Sequence, residues 1–255
     1  MIKTEKLKRK FGFVKDNIGI MSRYSEEKKN WKEHLNNTER FITEHVTEYK
    51  NGLCLILGSG WCLDVPVEEL SEKFDKVIFA DVIHPRQIKH KVEKIPNIEL
   101  LTIDISGILE PLYLYKKQKL NENLYEYLKK HVEIKIFDKL NPDFVASVNL
   151  LSQLSYFSTE YINMHNLASL NEQVLIKNFI EENHIEILPE GKSVLITDYY
   201  AQEYNFKGQL INEQNRLSIS LPSDKIKKEW IWDFDLSGNY HTGNPVKFKV
   251  AALQV

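Results

Sequence analysis

Residues 53–60 read Leu-Cys-Leu-Ile-Leu-Gly-Ser-Gly, and this stretch decides the fold class of the 255-residue chain. An unbroken apolar run that ends at a turn is typical of a strand buried on both faces of a parallel sheet. The two glycines allow the backbone to bend sharply and to approach a ligand that a side chain would block. A helix-start signal follows at Asp64-Val65-Pro66, and the free N–H groups of a helix start favour anionic ligands. The stretch therefore predicts a nucleotide-type cofactor at the edge of an open α/β sheet.

The segment before this strand predicts one long helix. Apolar residues recur at steps of three and four from Tyr24 to Tyr49, with charged residues between them, and Asn51-Gly52 ends the pattern. Residues 1–20 show no clear period, and the basic cluster Lys6 to Lys10 indicates a solvated tail.

Strands and helices alternate after residue 60. Predicted strands cover 76–82, 98–105, 144–151 and 193–198, and predicted helices cover 64–74, 84–94, 121–132 and 166–183. Residues 201–227 are polar and give no assignment, whereas 229–234 and 245–255 predict an antiparallel hairpin. The side chains at 230, 232 and 234 share one face of a strand, and we expect this aromatic face to pack against a helix. Alternating elements predict a parallel sheet with right-handed crossovers, and the absence of repeats and linkers predicts a single domain, 1–255.

Composition narrows the function classes. The formal net charge is −2, so no global electrostatic attraction to nucleic acid or membranes is expected. No apolar run approaches the roughly 20 residues that a membrane span needs, and the N-terminus lacks the apolar core of a signal peptide. Two cysteines make neither a disulfide framework nor a metal site, and Cys54 is expected in the core. These observations predict a cytoplasmic protein without a metal centre.

Five alternating strands, a closing aromatic hairpin and the Gly-Ser-Gly turn together resemble a class I S-adenosylmethionine-dependent methyltransferase over about residues 53–255. The resemblance implies a doubly wound, mostly parallel Rossmann-like sheet with a C-terminal antiparallel hairpin. Residues 1–52 resemble the helical extension or lid that many of these enzymes carry.

The resemblance also implies a cofactor-binding loop. Gly58, Ser59 and Gly60 match the start of the family's Gly-x-Gly-x-Gly pattern, but Cys62 stands at the third glycine and Ile56 replaces the usual acidic residue. Asp64 lies just past the loop, where its carboxylate could reach the ammonium group of the cofactor. The alternative is that Asp64 only caps the following helix, and the two roles are compatible.

Polar residues at the next strand ends complete the implied site. Asp81 follows the glycine turn by about 20 residues, the place of a carboxylate that binds ribose hydroxyls, or else it is a surface loop residue. The resemblance implies that Asp104 accepts from the adenine amino group, against the alternative of a loop-capping aspartate. Asn149 ends the fourth strand and is expected to face cofactor or substrate. His84 is the candidate general base, against a solvated loop histidine, while His241, Tyr199 and Tyr200 remain without an assigned role.

The sequence thus predicts methyl transfer from S-adenosylmethionine to a small, diffusible acceptor. The alternatives are an NAD(P)-dependent oxidoreductase, for which the fuller glycine fingerprint is missing, and a non-catalytic relative that keeps the cofactor site. We expect a small-molecule partner, no nucleic acid and no membrane, and the sequence indicates no oligomeric state.

Overall fold

The computed structural model describes residues 4–134, 136–137, 140–240 and 243–255. Its helices are α1 (Thr4–Lys10), α2 (Phe13–His45), α3 (Val67–Lys73), α4 (Arg86–Val92), α5 (Leu109–Gln118), α6 (Leu124–His131), α7 (Leu151–His165) and α8 (Leu170–Glu186). Its strands are β1 (Leu53–Leu57), β2 (Lys76–Asp81), β3 (Ile98–Thr102), β4 (Phe144–Val148), β5 (Ser193–Tyr204), β6 (Leu210–Asn215), β7 (Ile226–Asp235) and β8 (Val246–Gln254).

One sheet contains all eight strands in the order β3-β2-β1-β4-β5-β8-β7, and β6 pairs with the far end of β5. Strands β1 to β5 are parallel, whereas β8 runs antiparallel to both β5 and β7. The predicted fold is confirmed: a doubly wound, mostly parallel sheet of the class I methyltransferase type, with a C-terminal antiparallel hairpin and an N-terminal helical extension. In the dinucleotide-binding order 3-2-1-4-5-6 the next strand of the chain would continue the sheet beyond β5, whereas here the last strand, β8, lies beside the parallel part of β5.

The core lies on both faces of the sheet. Cys54 and Ile56 of β1 belong to one buried cluster, and their neighbours Leu55 and Leu57 belong to the other. Successive side chains of a strand point to opposite faces, so a strand covered on both sides reads as a continuous apolar run. This is why residues 53–57 predicted the centre of the sheet correctly.

Helix α2 packs on the aromatic face of β7, which the sequence predicted to pack against a helix without indicating which one. The indole of Trp31 contacts Trp232 edge-on, with ring centroids 4.9 Å apart, and stacks on Phe234 at 5.7 Å. Its Nε1–H donates to the carbonyl oxygen of Phe234 at 2.8 Å. The N-terminal extension is therefore joined to the antiparallel end of the sheet.

Several predicted helix bounds were wrong. Helix α2 begins at residue 13, not 24, because its first half buries polar groups such as Asn17, which leave no apolar period. It ends at His45, before the predicted stop at Asn51-Gly52. Helix α1 lies where a solvated tail was expected, and Gly12 separates it from α2 with a φ of +87°.

The helices near β4 also differ from the predictions. Helices α5 and α7 were not predicted, and the expected helix over 166–183 is α8, which buries Ile176 and Ile180. Leu170 and Val174 of this helix do not belong to its buried face, since they are 78% and 53% exposed. Among the described residues, no helix is long and apolar enough to cross a membrane.

Candidate cofactor site

The predicted site residues follow strand ends that lie side by side at the carboxyl edge of the parallel sheet. Leu57 of β1 pairs with Ala80 of β2 and with Ser147 of β4, and Asp81 of β2 pairs with Thr102 of β3. The carboxyl ends of β1, β2, β3 and β4 therefore lie next to one another along the same edge of the sheet. The loops that begin there carry the predicted residues Gly58, Ser59, Gly60, Asp81, Asp104 and Asn149.

Gly58 is required by the packing of the loop itself. Its φ is +80°, and its N–H donates to the carbonyl oxygen of Ala80 at 2.9 Å. A Cβ at this position would lie 2.8 Å from the carbonyl oxygen of Val148 and 2.9 Å from Cβ of Leu150. The missing side chain lets the loop touch the end of β4, whereas the sequence had attributed it to a ligand.

Gly60 and Asp81 connect the loops after β1 and β2. The N–H of Gly60 donates to Oδ2 of Asp81 at 2.8 Å, and the N–H of Ile83 donates to Oδ1 at 3.0 Å. A carboxylate oxygen has two acceptor directions, so each oxygen keeps one for a hydroxyl group. Burial raises the pKa of Asp81 from its ordinary value, and the bonds from Ile83 and Gly60 act in the opposite direction. Its ribose-binding role stays a prediction, and the geometry leaves room for it.

Cys62 preserves the shape of a glycine loop although it is not glycine. Its φ is +49°, and its N–H donates to the carbonyl oxygen of Ser59 at 2.6 Å. Only glycine enters this left-handed region without steric cost. Burial is the main cause that raises the pKa of the Cys62 thiol to about 12. The thiol is therefore neutral and not a reactive nucleophile at pH 7.

Asp104 organises the turn that leads into α5. Its Oδ1 accepts from the N–H of Ser106 at 3.1 Å and from the hydroxyl at 2.6 Å, and Oδ2 accepts from the N–H of Leu109 at 2.8 Å. These contacts are those of a loop-capping aspartate, the alternative role that the sequence offered for Asp104. One acceptor direction of Oδ2 remains, so the adenine-binding role stays a prediction.

Asp64 does not cap α3, and this expectation was wrong. The helix begins at Val67 after Pro66, without a side-chain cap. Instead, Oδ2 of Asp64 lies 2.6 Å from the side-chain amide of Asn149, which adopts a φ of +47° just after β4. Burial raises the pKa of Asp64. The two predicted cofactor residues therefore contact each other across the edge of the sheet.

His34 of α2 also reaches this pair, and sequence reasoning missed it. Its Nε2 lies 3.1 Å from the amide nitrogen of Asn149, and its Nδ1 accepts from Nε1–H of Trp230 at 3.1 Å. The ring stacks flat on Trp232 with centroids 3.9 Å apart. Burial lowers the pKa of His34 to about 3, so the ring is neutral. One signal existed, because position 34 lies one helical turn after Trp31 on the predicted apolar side.

His84 is buried between β2 and β3, so the expected alternative of a solvated loop histidine was wrong. Its Nε2 lies 3.2 Å from the carbonyl oxygen of Leu101, which requires the proton on Nε2. Burial lowers the pKa of His84, while the neighbouring Asp81 acts to raise it. The ring is neutral at pH 7, and its role as a base stays a prediction.

The other polar candidates were left open by the sequence. The hydroxyl of Tyr199 donates to Glu229 at 2.6 Å, and that of Tyr200 donates to Glu213 at 3.1 Å. Burial and the Glu229 carboxylate raise the pKa of Tyr199 to about 12. His241 lies outside the described residues.

A second polar cluster, also missed, follows the parallel part of β5. Asp198 accepts at Oδ1 from the hydroxyl of Ser152 at 2.7 Å, and its Oδ2 pairs with Arg216. The guanidinium of Arg216 lies over the ring of Phe248, 4.1 Å from its centroid. Asp198 was visible as the last residue of the predicted fifth strand, but Arg216 lay in the unassigned polar segment.

Three buried polar atoms at the carboxyl edge lack a hydrogen-bond partner within the described parts of the chain. They are Oγ of Ser59, Nδ1 of His84 and Oδ1 of Asn149. A buried polar atom without a partner costs free energy, so such atoms mark places where a ligand is favoured. Together with the remaining acceptor directions of Asp81 and Asp104, these atoms fit a ligand that carries hydroxyl and amino groups.

No known protein family matches the sequence, and no curated protein sequence matches it. Among solved structures, the chain is similar to the N-methyltransferase NodS from Bradyrhizobium japonicum WM9 in complex with S-adenosylhomocysteine. The identity is 10%, the alignment covers 87% of this chain and 85% of that one, and the TM-score is 0.40. It is also similar to 1,6-didemethyltoxoflavin-N1-methyltransferase from Burkholderia thailandensis, at 10% identity, 94% and 87% coverage and a TM-score of 0.41.

Proposed function

We propose that this chain transfers a methyl group from S-adenosylmethionine to a small-molecule acceptor. One observation carries the proposal: Asp81 and Asp104 follow the adjacent strands β2 and β3, next to the turn formed by Gly58, Ser59 and Gly60. Dinucleotide sites use a carboxylate after the second strand, so Asp81 alone would not distinguish the cofactors. The second carboxylate and the antiparallel β8 beside β5 favour the methyltransferase over a nicotinamide-dependent oxidoreductase.

The chain's residues would divide the cofactor between them. Asp81 would accept from the ribose hydroxyls, and Asp104 would accept from the adenine amino group through the free direction of Oδ2. Asp64 and Asn149, with Ser59 of the loop, would face the amino-acid part. Each of these side chains offers polar atoms at the carboxyl edge, where ligands of open α/β sheets bind.

S-adenosylmethionine, when bound, would supply a methyl group on a sulfonium, and an acceptor atom would bond to the methyl carbon as the carbon–sulfur bond breaks and S-adenosylhomocysteine leaves. The protein's contribution is to orient the reactants and to exclude water, and orientation alone supplies several kcal/mol. Helix α2 serves both purposes in this proposal, because His34 joins it to Asn149 and Trp31 fixes it on β7. His84, neutral at pH 7, could take a proton at Nδ1 if the acceptor must lose one.

A small, diffusible acceptor fits the charge of the chain better than a nucleic acid. The formal net charge is −2, and the basic cluster of residues 6–10 lies on the short helix α1. A nucleic-acid enzyme needs a positive track for phosphates, and its binding falls steeply with salt. Filter binding of RNA and DNA at about 50 mM salt tests this, since low salt exaggerates phosphate contacts. Saturable binding that survives removal of residues 1–10 would contradict it.

Calorimetry with S-adenosylhomocysteine and with NADH tests the cofactor. The wild-type chain should bind S-adenosylhomocysteine, and Asp81→Asn should weaken binding about 10- to 100-fold, because the ribose hydroxyls lose a charged acceptor. Asp224→Asn is the matched control, since this exposed aspartate lies in a turn before β7, and it should bind like the wild type. Binding of NADH without any response to S-adenosylhomocysteine would overturn the proposal.

A further inference from the structure

Four side chains form a continuous row from β7, through α2, to the loops after β1 and β4. Nε1 of Trp230 lies 3.1 Å from Nδ1 of His34, and Nε2 of His34 lies 3.1 Å from the amide of Asn149. The same amide atom lies 2.6 Å from Oδ2 of Asp64. Every distance is within hydrogen-bonding range, so each step needs one donor and one acceptor.

The row can be satisfied in only one arrangement of protons. An indole N–H can only donate, so Nδ1 of His34 must accept from Trp230, and the single proton of the neutral ring lies on Nε2. Nε2 is then a donor, and the atom of Asn149 that faces it must be the amide oxygen. The nitrogen and oxygen of an amide are distinguished by their hydrogen bonds and not by their shape, so the side chain is assigned the reversed orientation.

This orientation places the amide oxygen of Asn149 2.6 Å from Oδ2 of Asp64. Two oxygens at this distance share a hydrogen, and 2.6 Å is a normal length for an O–H···O bond. The opposite orientation would leave Asp64 ionised and would set two N–H groups against each other at His34. In either orientation, one amide atom of Asn149 has no partner among the described residues, so reversing the amide adds no unsatisfied group.

We propose that Asp64 is protonated in the ligand-free protein and donates to Asn149, so that the row from Trp230 to Asp64 is a pH-sensitive latch that holds α2 against the cofactor loops. His34 is the positioning residue of this latch, because its tautomer fixes the orientation of Asn149. When Asp64 loses its proton, the carboxylate needs a donor, the amide reverses, and the bond to His34 is lost. Alkaline pH therefore weakens the hold on α2.

The charged and titratable groups around Asp64 act in both directions. Glu39 of α2 and Cys62 of the same loop interact with Asp64, and the Glu39 carboxylate favours the protonated form of Asp64 by repulsion. Glu68 and Lys91 act on both of these neighbours, and Asp81 acts on Cys62. Lys91 already pairs with Glu68 at 2.8 Å, which reduces its effect on these neighbours. Burial raises the pKa of Asp64, whereas an N–H of Asn149 facing the carboxyl group would lower it. The reversed amide removes this opposing hydrogen bond.

The test needs no cofactor, so its outcome is independent of the proposed function. Infrared spectra of the ligand-free protein are compared for the wild type, Asp64→Asn and the control Asp224→Asn from about pH 4, the ordinary pKa of an aspartate, to the highest pH at which the protein stays folded. The wild type should show a carboxylic-acid C=O band that disappears as pH rises, is missing in Asp64→Asn and is retained in Asp224→Asn. Wild-type and Asp64→Asn spectra without such a difference at any pH would overturn the proposal.

A second measurement on the wild type alone guards against a variant that fails to fold. Nitrogen NMR of His34 reports which ring nitrogen carries the proton, and the latch requires the proton on Nε2. A proton on Nδ1 would contradict the hydrogen-bond count directly. Stability adds a third readout, because the wild type should lose stability relative to Asp64→Asn, whose amide N–H replaces the acid O–H, as pH rises from about 4, the ordinary pKa of an aspartate, until Asp64 is ionised.

Discussion

Replacing Gly58 by alanine is expected to lower the free energy of unfolding by about 2–5 kcal/mol. About 1–2 kcal/mol of this comes from the backbone, because a φ of +80° is unfavourable for an L-residue with a side chain. About 1–3 kcal/mol comes from the new Cβ, which would meet the backbone carbonyl of Val148 at 2.8 Å. A backbone atom of a buried central strand cannot move aside as a flexible side chain can.

Two other glycines separate these contributions. Gly191 has a φ of +72°, but among the described atoms none lies within 4 Å of an added Cβ, so Gly191→Ala should cost only about 1–2 kcal/mol. Gly19 lies inside α2 with neither constraint, and Gly19→Ala should stabilise the protein by about 0.5–1 kcal/mol. Gly58→Ala therefore combines the steric contact with the backbone cost, Gly191→Ala carries the backbone cost alone, and Gly19→Ala carries neither.

Urea denaturation followed by circular dichroism provides the free energies, provided that the slope with denaturant is the same in all variants. Gly58→Ala must be clearly less stable than Gly191→Ala. Equal stabilities would refute the close contact between the glycine loop and the end of β4. They would also refute the inference that this contact fixes the position of the loop at the carboxyl edge of the sheet.

Three further predictions concern α2 and His184, a buried residue of α8. Trp31→Phe should lower the free energy of unfolding by about 1–3 kcal/mol in urea denaturation, because the carbonyl of Phe234 loses its donor. Burial lowers the pKa of His184 to about 4, so the unfolded chain binds more protons between pH 6.5 and 4, and stability should fall with pH by up to about 1.4 kcal/mol per unit. His184→Gln should show a shallower fall over that range in the same assay. Hydrogen exchange with S-adenosylhomocysteine should protect residues 13–45 as well as the strand ends, and protection confined to the strand ends would exclude a lid role for α2.

Much of the sheet could be predicted because each parallel strand is a short apolar run between turns. The parallel topology alone then places Asp81, Asp104 and Asn149 at one edge, since the carboxyl ends of such strands lie side by side. What the pattern could not provide was the partner of each side chain. Asp64 was expected at a helix start, and its contact with Asn149 joins residues 85 positions apart.

The missed helices have local causes. Pro111 lies in the first turn of α5, where proline is tolerated, but in the sequence it is also typical of a break. Helix α7 begins only three residues after β4, so Leu150 and Leu151 extended the predicted strand. The first half of α2 buries Glu27, which accepts from the N–H of Ser237 at 3.0 Å. Polar side chains that are buried with hydrogen-bond partners leave no apolar pattern in the sequence.

The glycine turn was predicted for the correct place but for a reason that holds only in part. Gly58 lacks a side chain because the end of β4 approaches it, and Cys62 takes a left-handed φ without being glycine. Gly60 acts directly on a predicted cofactor residue, because its N–H donates to Asp81. The loop is therefore shaped first by the packing of β1 against β4, and this packing presents Ser59 and Asp81 at the same edge. This chain departs from a Gly-x-Gly-x-Gly pattern at Cys62 and keeps the shape of the turn, because the neighbouring strand ends hold the turn in place.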